Sequence, residues 1–432
     1  MFVSDCLSVN EKGHLTIGGI DTVELAAAYG TPCYVVDEDK IRENCRAYVK
    51  SIEDNYAGNG LAIYASKAFN CKAMCRIIKE EKMGLDVVSG GELYTAISTG
   101  FPTEKIFFHG NNKTLDELEF AIRENVGRIV VDNMYELENV NKEAAKQGKT
   151  ANVILRIKPG IDAHTHSFIM TGQIDSKFGF ALETGEAMQG IKAAIAAENI
   201  CLKGVHCHIG SQIFDVEPFE RAAEVMIGFM ADIKAETGVE LPELDLGGGF
   251  GIKYSEADKP LEYSEYMATV AGVLKSACEK HGVKTPFIII EPGRSIAGSA
   301  GITLYTVGAV KEIPGVRNYV SIDGGMGDNP RYILYQSTYE MVCANKADKE
   351  KDYKITLAGR CCESGDLIQE NAMIQRVEPG DIVAVFSTGA YNYSMSSNYN
   401  RIPKPPVVMV SGGEARVVVK RETYEDIIRN DI

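Results

Sequence analysis

One grammar recurs through more than half of this chain and limits its fold more than any other feature. Between residues 61 and 293, a short apolar, β-branched run gives way to a polar or Gly-containing turn and then to a longer amphipathic stretch. The runs fall at 61–65, 85–88, 106–108, 129–131, 153–157, 205–209, 244–246 and 287–290, eight in all. Segments with apolar residues three and four positions apart lie between them, at 73–81, 115–123, 135–145 and 219–236. This alternation suits parallel pairing, in a doubly wound sheet or a (β/α)8 barrel, and eight units select the barrel. The barrel is expected over residues 38–300.

After Arg294 the pattern changes. Strand-like runs at 302–310, 318–322, 353–357, 382–386, 407–410 and 417–419, with few helix signals between them, predict an antiparallel β domain over 301–432. Residues 1–37 are assigned to the same domain, because the run 33–36 precedes the first barrel unit and eight strands are already counted. The formal charge of −15 would repel phosphate backbones and anionic lipid heads, so neither nucleic acid nor membrane is an expected partner. The 11 cysteines are scattered without CxxC spacing, and no apolar stretch reaches bilayer length. A cytoplasmic enzyme is expected.

In a barrel of this kind chemistry sits just after the C-terminal ends of the strands. Lys67 ends the first run, in YASKAF. It reads either as a surface lysine or, where enclosure lowers its basicity, as a neutral amine able to condense with an aldehyde cofactor. Gly247, Gly248 and Gly249 follow LDL. They suit either a tight turn or a nest of backbone N–H groups that a phosphate can approach closely. His208 offers a ring for a flat cofactor, and Ser211 a hydroxyl for its phosphate. Glu291, Pro292, Gly293 and Arg294 end the last barrel run and put a carboxylate near a cation, which reads as a simple ion pair or as a tuned acid. A competing reading takes the HxH pairs His164/His166 and His206/His208 as metal ligands on one strand face. The other strand ends offer Lys, Gly, Ser and Glu, a poor complement to such a site, and no metal is expected.

Taken together, YASKAF, GVHCHIGSQ, LDLGGGFG, EPGR, AGRCCESGD and GAYNYSMSSNYN resemble the fold-type III pyridoxal-phosphate decarboxylases. IFFHGNNK, DAHTHSFIMTGQIDSKFGF and DGGMGDNPRYILY resemble the diaminopimelate branch of that family rather than the ornithine or arginine branches. The resemblance implies a pyridoxal 5'-phosphate-binding barrel of alanine-racemase type with a β domain that contributes to the substrate site and to a dimer interface. It implies decarboxylation of meso-2,6-diaminopimelate to L-lysine. By position, Lys67 would join the cofactor. His208, Ser211, Gly247 to Gly249, Glu291 to Arg294 and Tyr391 would hold it. Arg294, Arg331, Tyr335, Glu363 and Tyr391 would recognise the amino-acid substrate, and Cys362 would return the proton.

In the family, Cys362 and Glu363 reach the partner subunit's site, which implies a homodimer with shared active sites. Tyr332 stands where proline is commoner and leaves the local loop shape open. Independently of the resemblance, a carboxylate at Glu291 would keep a pyridine nitrogen protonated and so favour decarboxylation over racemisation. Alternatives are a decarboxylase of D-ornithine, D-lysine or arginine, a non-catalytic homologue, and a metallohydrolase.

Overall fold

The computed structural model describes residues 2–161 and 176–432. His164, His166 and most of DAHTHSFIMTGQIDSKFGF lie outside the described residues. The chain forms two compact units. One comprises Asn44–Gly251 and Pro260–Gly293; the other comprises Met1–Glu43, Ile252–Lys259 and Arg294–Ile432.

The first unit is a closed parallel barrel. Its strands are β1 (Gly60–Ala65), β2 (Gly84–Val87), β3 (Ile106–Phe108), β4 (Arg128–Val131), β5 (Ala151–Lys158), β6 (Ile200–His206), β7 (Glu243–Asp245) and β8 (Phe287–Ile290). Each pairs with the next in parallel, and β8 returns to β1, with Ile289 opposite Leu61. The two-residue strand Phe180–Ala181 adds to β5. All eight apolar runs of the sequence became barrel strands, because each is short, β-branched and flanked by turn residues. Ile63, Phe107, Val130, Ile154 and Ile289 form a buried cluster contributed by five of these strands. Side chains fill the barrel, as its closure requires.

Helices start where short polar side chains can satisfy their first N–H groups. Ser89 accepts from Glu92 N at the head of Gly90–Ile97, Asn133 heads Met134–Lys146, and Thr114 with Glu117 forms a capping box on Leu115–Arg123. At the strands' N-terminal ends, Arg128 opens β4 and donates through Nε to Glu243 at the start of β7, 2.7 Å away. These strands are not neighbours, so the pair crosses the barrel floor.

The second unit holds a large sheet in the order Leu367–Ile374, Tyr353–Ala358, Arg317–Ile322, Gly301–Ile313, Cys33–Asp37, Val407–Ser411, Glu414–Val419. Most pairings are antiparallel, but two are parallel, Arg317–Ile322 with Tyr353–Ala358 and Cys33–Asp37 with Val407–Ser411. Long connections return the chain in the same direction at both places, which a hairpin cannot do. The sequence reading lacked the strands Met341–Cys343 and Leu367–Ile374. The first has only three residues, and the second, LIQENAMI, carries Gln, Glu and Asn through a half-exposed edge. A small three-stranded sheet of Leu7–Val9, Leu15–Ile17 and Ile20–Asp21 also escaped it.

The floor of the barrel generates a stability prediction. The register between β5 and β6 slips between Leu202 and Gly204, and a Cβ on Gly204 would stand 2.1 Å from the Glu243 carbonyl oxygen. Backbone cannot give way as a flexible side chain can. Gly204→Ala should lower stability by about 1–3 kcal/mol, the usual range for overpacking, as read from the urea midpoint. An unchanged midpoint would show that the strand can move aside.

Candidate active site

The barrel strands deliver several of the expected residues to one place. Lys67 sits in the single 3-10 turn Ser66–Ala68 directly after β1, exposed at the strand end. Ala65 N donates to Pro292 O at 3.1 Å, and a Cβ on Gly293 would meet the Ala65 methyl at 2.8 Å. The lysine turn therefore packs on the Glu291–Gly293 segment. That segment in turn meets the glycine loop: Glu291 N donates to Gly247 O, and a Cβ on Gly248 would lie 2.2 Å from Glu291 O. Gly249 has φ +114°, and its Cβ would come within 2.6 Å of Gly210 O, next to Ser211. Gly248 N donates to His208 Nδ1 at 3.3 Å, which leaves the proton of a neutral ring on Nε2. Burial, and then the nearby Lys67 ammonium, hold His208 well below the usual imidazole range. Lys67, His208, Ser211, Gly247 to Gly249 and Glu291 to Gly293 thus share one end of the barrel.

Behind Glu291 lies a layer of buried ionisable groups, of which the sequence singled out His206 alone, as part of an HxH pair. Asp86 is in β2, His109 follows β3, Arg156 is in β5, His206 ends β6 and Asp245 ends β7. His109 Nε2 lies 2.8 Å from Glu291 Oε1 and 4.0 Å from Asp86 Oδ1. His206 Nε2 lies 3.6 Å from the same Glu291 oxygen, and the two imidazoles meet edge to face with centroids 5.0 Å apart. Burial alone would raise Glu291, but the two histidines outweigh it and hold the carboxyl well below its usual range. Asp245 goes the other way, raised well above the usual range by burial and by the Glu291 charge, and Asp86 is raised mainly by burial. Burial brings His206 down to about 4. Glu291 is therefore the ionised carboxylate of this layer. A signal for these residues exists in the sequence: ionisable side chains inside otherwise apolar runs, as in GLDVV, VILRIK and LDLGGG.

The HxH pair at 206 and 208 does not act as a unit. His206 faces Glu291 and His109, whereas His208 pairs with Gly248. Among the described residues, three groups that could converge on a cation, with ligand atoms all within 4.8 Å of one another, are His109, His206 and Glu291.

The second unit builds an arginine–tyrosine cluster. Tyr254 Oη accepts from Arg294 Nη1 at 2.6 Å and from Arg331 Nη1 at 2.9 Å, and all three residues are buried. Burial would raise the Tyr254 phenol, but the two guanidinium groups bring it below its usual range. Arg331 also donates to Tyr339 Oη at 3.1 Å. The Tyr391 ring lies 4.7 Å from the Arg294 guanidinium and 5.6 Å from that of Arg331, on a backbone held at φ +68°. Left-handed backbone at a non-glycine residue is costly and is held here by the surrounding packing. Tyr335 lies 5.8 Å from Arg331. Tyr332 caused no disruption: the helix Arg331–Tyr335 forms after Pro330, and the Tyr332 hydroxyl bonds Glu370 at 2.6 Å. Tyr254 and Tyr339 escaped the sequence reading, which drew on no charge or motif at either position. Cys362 and Glu363 stand outside this cluster on an exposed loop, with Cys362 N donating to Asn400 Oδ1. Cys361 is partly buried, and burial pushes its thiol up to about 11.

The barrel set fits pyridoxal phosphate by its donor chemistry. It offers a primary amine at Lys67, an ionised buried carboxylate at Glu291 for a pyridine nitrogen, the His208 imidazole, and a glycine cradle that added Cβ atoms would fill. Residues 38–298 match the family described as pyridoxal-dependent decarboxylase, pyridoxal binding domain. The chain is 49% identical to diaminopimelate decarboxylase of Bacillus subtilis (strain 168), over 100% of this chain and 98% of the relative. It is 45% identical to that of Staphylococcus aureus (strain COL), over 98% of each chain. Among solved structures, diaminopimelate decarboxylase from M. jannaschii in complex with L-lysine superposes with TM-score 0.92 at 36% identity, covering 100% of this chain and 99% of that one. The family match over residues 38–298, with identities of 45–49% along nearly the whole of both chains, places the chain in the pyridoxal-dependent decarboxylase family, on its diaminopimelate decarboxylase branch.

Proposed function

We propose that this chain removes the carboxylate from one end of meso-2,6-diaminopimelate, giving L-lysine and carbon dioxide. The observation that carries the reading is the ionised Glu291 carboxylate, buried at the strand ends next to the Lys67 turn and the glycine loop. Bound pyridoxal phosphate supplies the electron sink for the carbanion left when CO2 departs. Lys67 would bind its aldehyde through Nζ, and the Gly249 N–H with the Ser211 hydroxyl would bind its phosphate, in a cradle whose Gly247 and Gly248 N–H groups are held by Asp245 Oδ1 and His208 Nδ1. Glu291 holds a proton at the ring nitrogen, since an adjacent negative charge raises the basicity of that atom. His208, its Nδ1 engaged by Gly248, orients the ring by stacking.

Arg331 grips the carboxylate at the non-reacting end of the substrate, with Arg294, Tyr335 and Tyr391 beside it. Glu363 takes the distal ammonium, and Cys362 moves a proton from Sγ to the former carboxylate-bearing carbon. Exposure of Cys362 and Glu363 supports their delivery to the site of a second copy, in a homodimer. Ile333 and Leu334, 39% and 46% exposed on the Arg331–Tyr335 helix, offer apolar surface for such a partner. None of the 11 cysteines is in a disulfide, which supports a reducing cytoplasm. Among the described residues no helix is long and apolar enough to cross a membrane.

A substrate panel scored for released CO2 tests the assignment. Turnover of meso-diaminopimelate should exceed that of lysine or ornithine by at least about tenfold, because those diamines leave a buried arginine unpaired. Equal rates on ornithine would remove the substrate, and a colourless protein inactivated by chelator would point instead to a cation at His109, His206 and Glu291. Cys362→Ala should slow product formation by about 10²-fold or more while cofactor absorbance is retained, the range for losing a general acid. Loss of the cofactor there would make Cys362 structural. Tyr254→Phe removes the oxygen that aligns both arginines, so KM should rise about tenfold with little change in kcat, each tenfold being about 1.4 kcal/mol of grip. An unchanged KM would show that the arginines align without it.

A further inference from the structure

Of the two imidazoles beside Glu291, His109 is the nearer, at 2.8 Å against 3.6 Å for His206, and nothing in the proposed reaction uses it. We propose that His109 is a positioning residue, whose Nε2, 2.8 Å from Glu291 Oε1, fixes the carboxylate that serves the cofactor ring nitrogen, with His206 backing it at 3.6 Å. This rests on the reading of Glu291 given above.

The geometry favours a tuned arrangement over simple burial. The end of the barrel holds the buried carboxyl groups of Asp86, Asp132, Asp245 and Glu291, with Arg156, His206 and the Cys207 thiol around them and Lys67 at the mouth; Asp132 faces Arg156 and accepts from Gly179 N. Uncompensated, such a set would leave the proton distribution open, since close like charges raise one another's affinity for protons. His109 breaks the tie by position, lying 2.8 Å from Glu291 and 4.0 Å from Asp86. The acid strengths separate accordingly, with Glu291 lowered and Asp86 and Asp245 raised. Groups whose environments push them apart mark assigned protonation roles.

The loop carrying His109 is pinned for this purpose. His109 N donates to Val87 O at 2.8 Å. Lys113, buried four residues on, donates to Gly110 O, Val130 O and Glu136 Oε1 at 2.9, 2.7 and 2.8 Å. The stretch IFFHGNNK therefore spends a buried ion pair on holding one imidazole in place. A barrel selected for stability alone would fill these positions with aliphatic side chains, because a buried ionic group is a weak source of stability.

The test uses holoenzyme reconstituted with pyridoxal phosphate labelled with 15N at the ring. Wild type should give the resonance of a protonated pyridine nitrogen. His109→Phe, which keeps a ring but removes the N–H, should move that resonance toward the unprotonated position and lower kcat about tenfold to hundredfold, one to two pKa units of acidity, with KM within about threefold. His109→Gln, which keeps a donor, should restore most of both. If His109→Phe does not accumulate as folded protein, His109→Met carries the same expectation. A wild-type resonance in a folded Phe or Met variant overturns the proposal. Glu291→Gln is the control: if it too leaves the resonance unchanged, the reading of Glu291 itself fails, an outcome distinct from failure at His109 alone.

Discussion

An ionised carboxylate inside a protein is unfavourable unless its charge is met, and the groups packed around Glu291 at the C-terminal ends of the barrel strands meet that requirement. Removing a carboxylate from water costs several kcal/mol even after relaxation. The two imidazoles that touch Glu291 supply the compensation, and the raised acidity thresholds of Asp86 and Asp245 keep further negative charge away from it. The backbone has the same dependence. Gly248 lacks a side chain because the Glu291 carbonyl occupies its place, so the phosphate-type loop and the acid strand form one packed object.

The parallel direction of the strands explains why so many chemical groups collect there. With all eight strands pointing the same way, each one's last residues and following loop open onto a single end. A Lys from the first, a His from the third and sixth, an Asp from the seventh and a Glu from the eighth need no long side chains to converge.

Much of this could be read from the sequence, and the rest could not, for particular reasons. Eight apolar runs predicted eight strands because a buried parallel strand is hydrophobic on both faces and stands out against its amphipathic neighbours. Lys67, the glycines and Glu291 were legible because they lie just outside those runs. Asp86, Arg156 and Asp245 were passed over because they lie within them, where an apolar run is read as packing. Tyr254 sits in Ile252–Lys259, a short segment of the second unit bounded on both sides by the barrel, and no local pattern says which arginines it serves. Leu367–Ile374 failed the test of alternation because an edge strand can be polar on more than one face. The exposed Cys362 loop was legible only through resemblance, since one chain's periodicity carries no information about a second chain.

The ion pair across the barrel floor has a consequence of a different kind. Arg128 and Glu243 tie together strands that do not pair, at the end of the barrel opposite the lysine, the glycines and the buried acids. The pair braces the barrel at the end away from the residues proposed to act in turnover. Such a division lets loops at the working end drift in sequence, and with them the choice of amino acid, while the scaffold is inherited intact: one way for a lineage to diversify its chemistry without relearning how to fold.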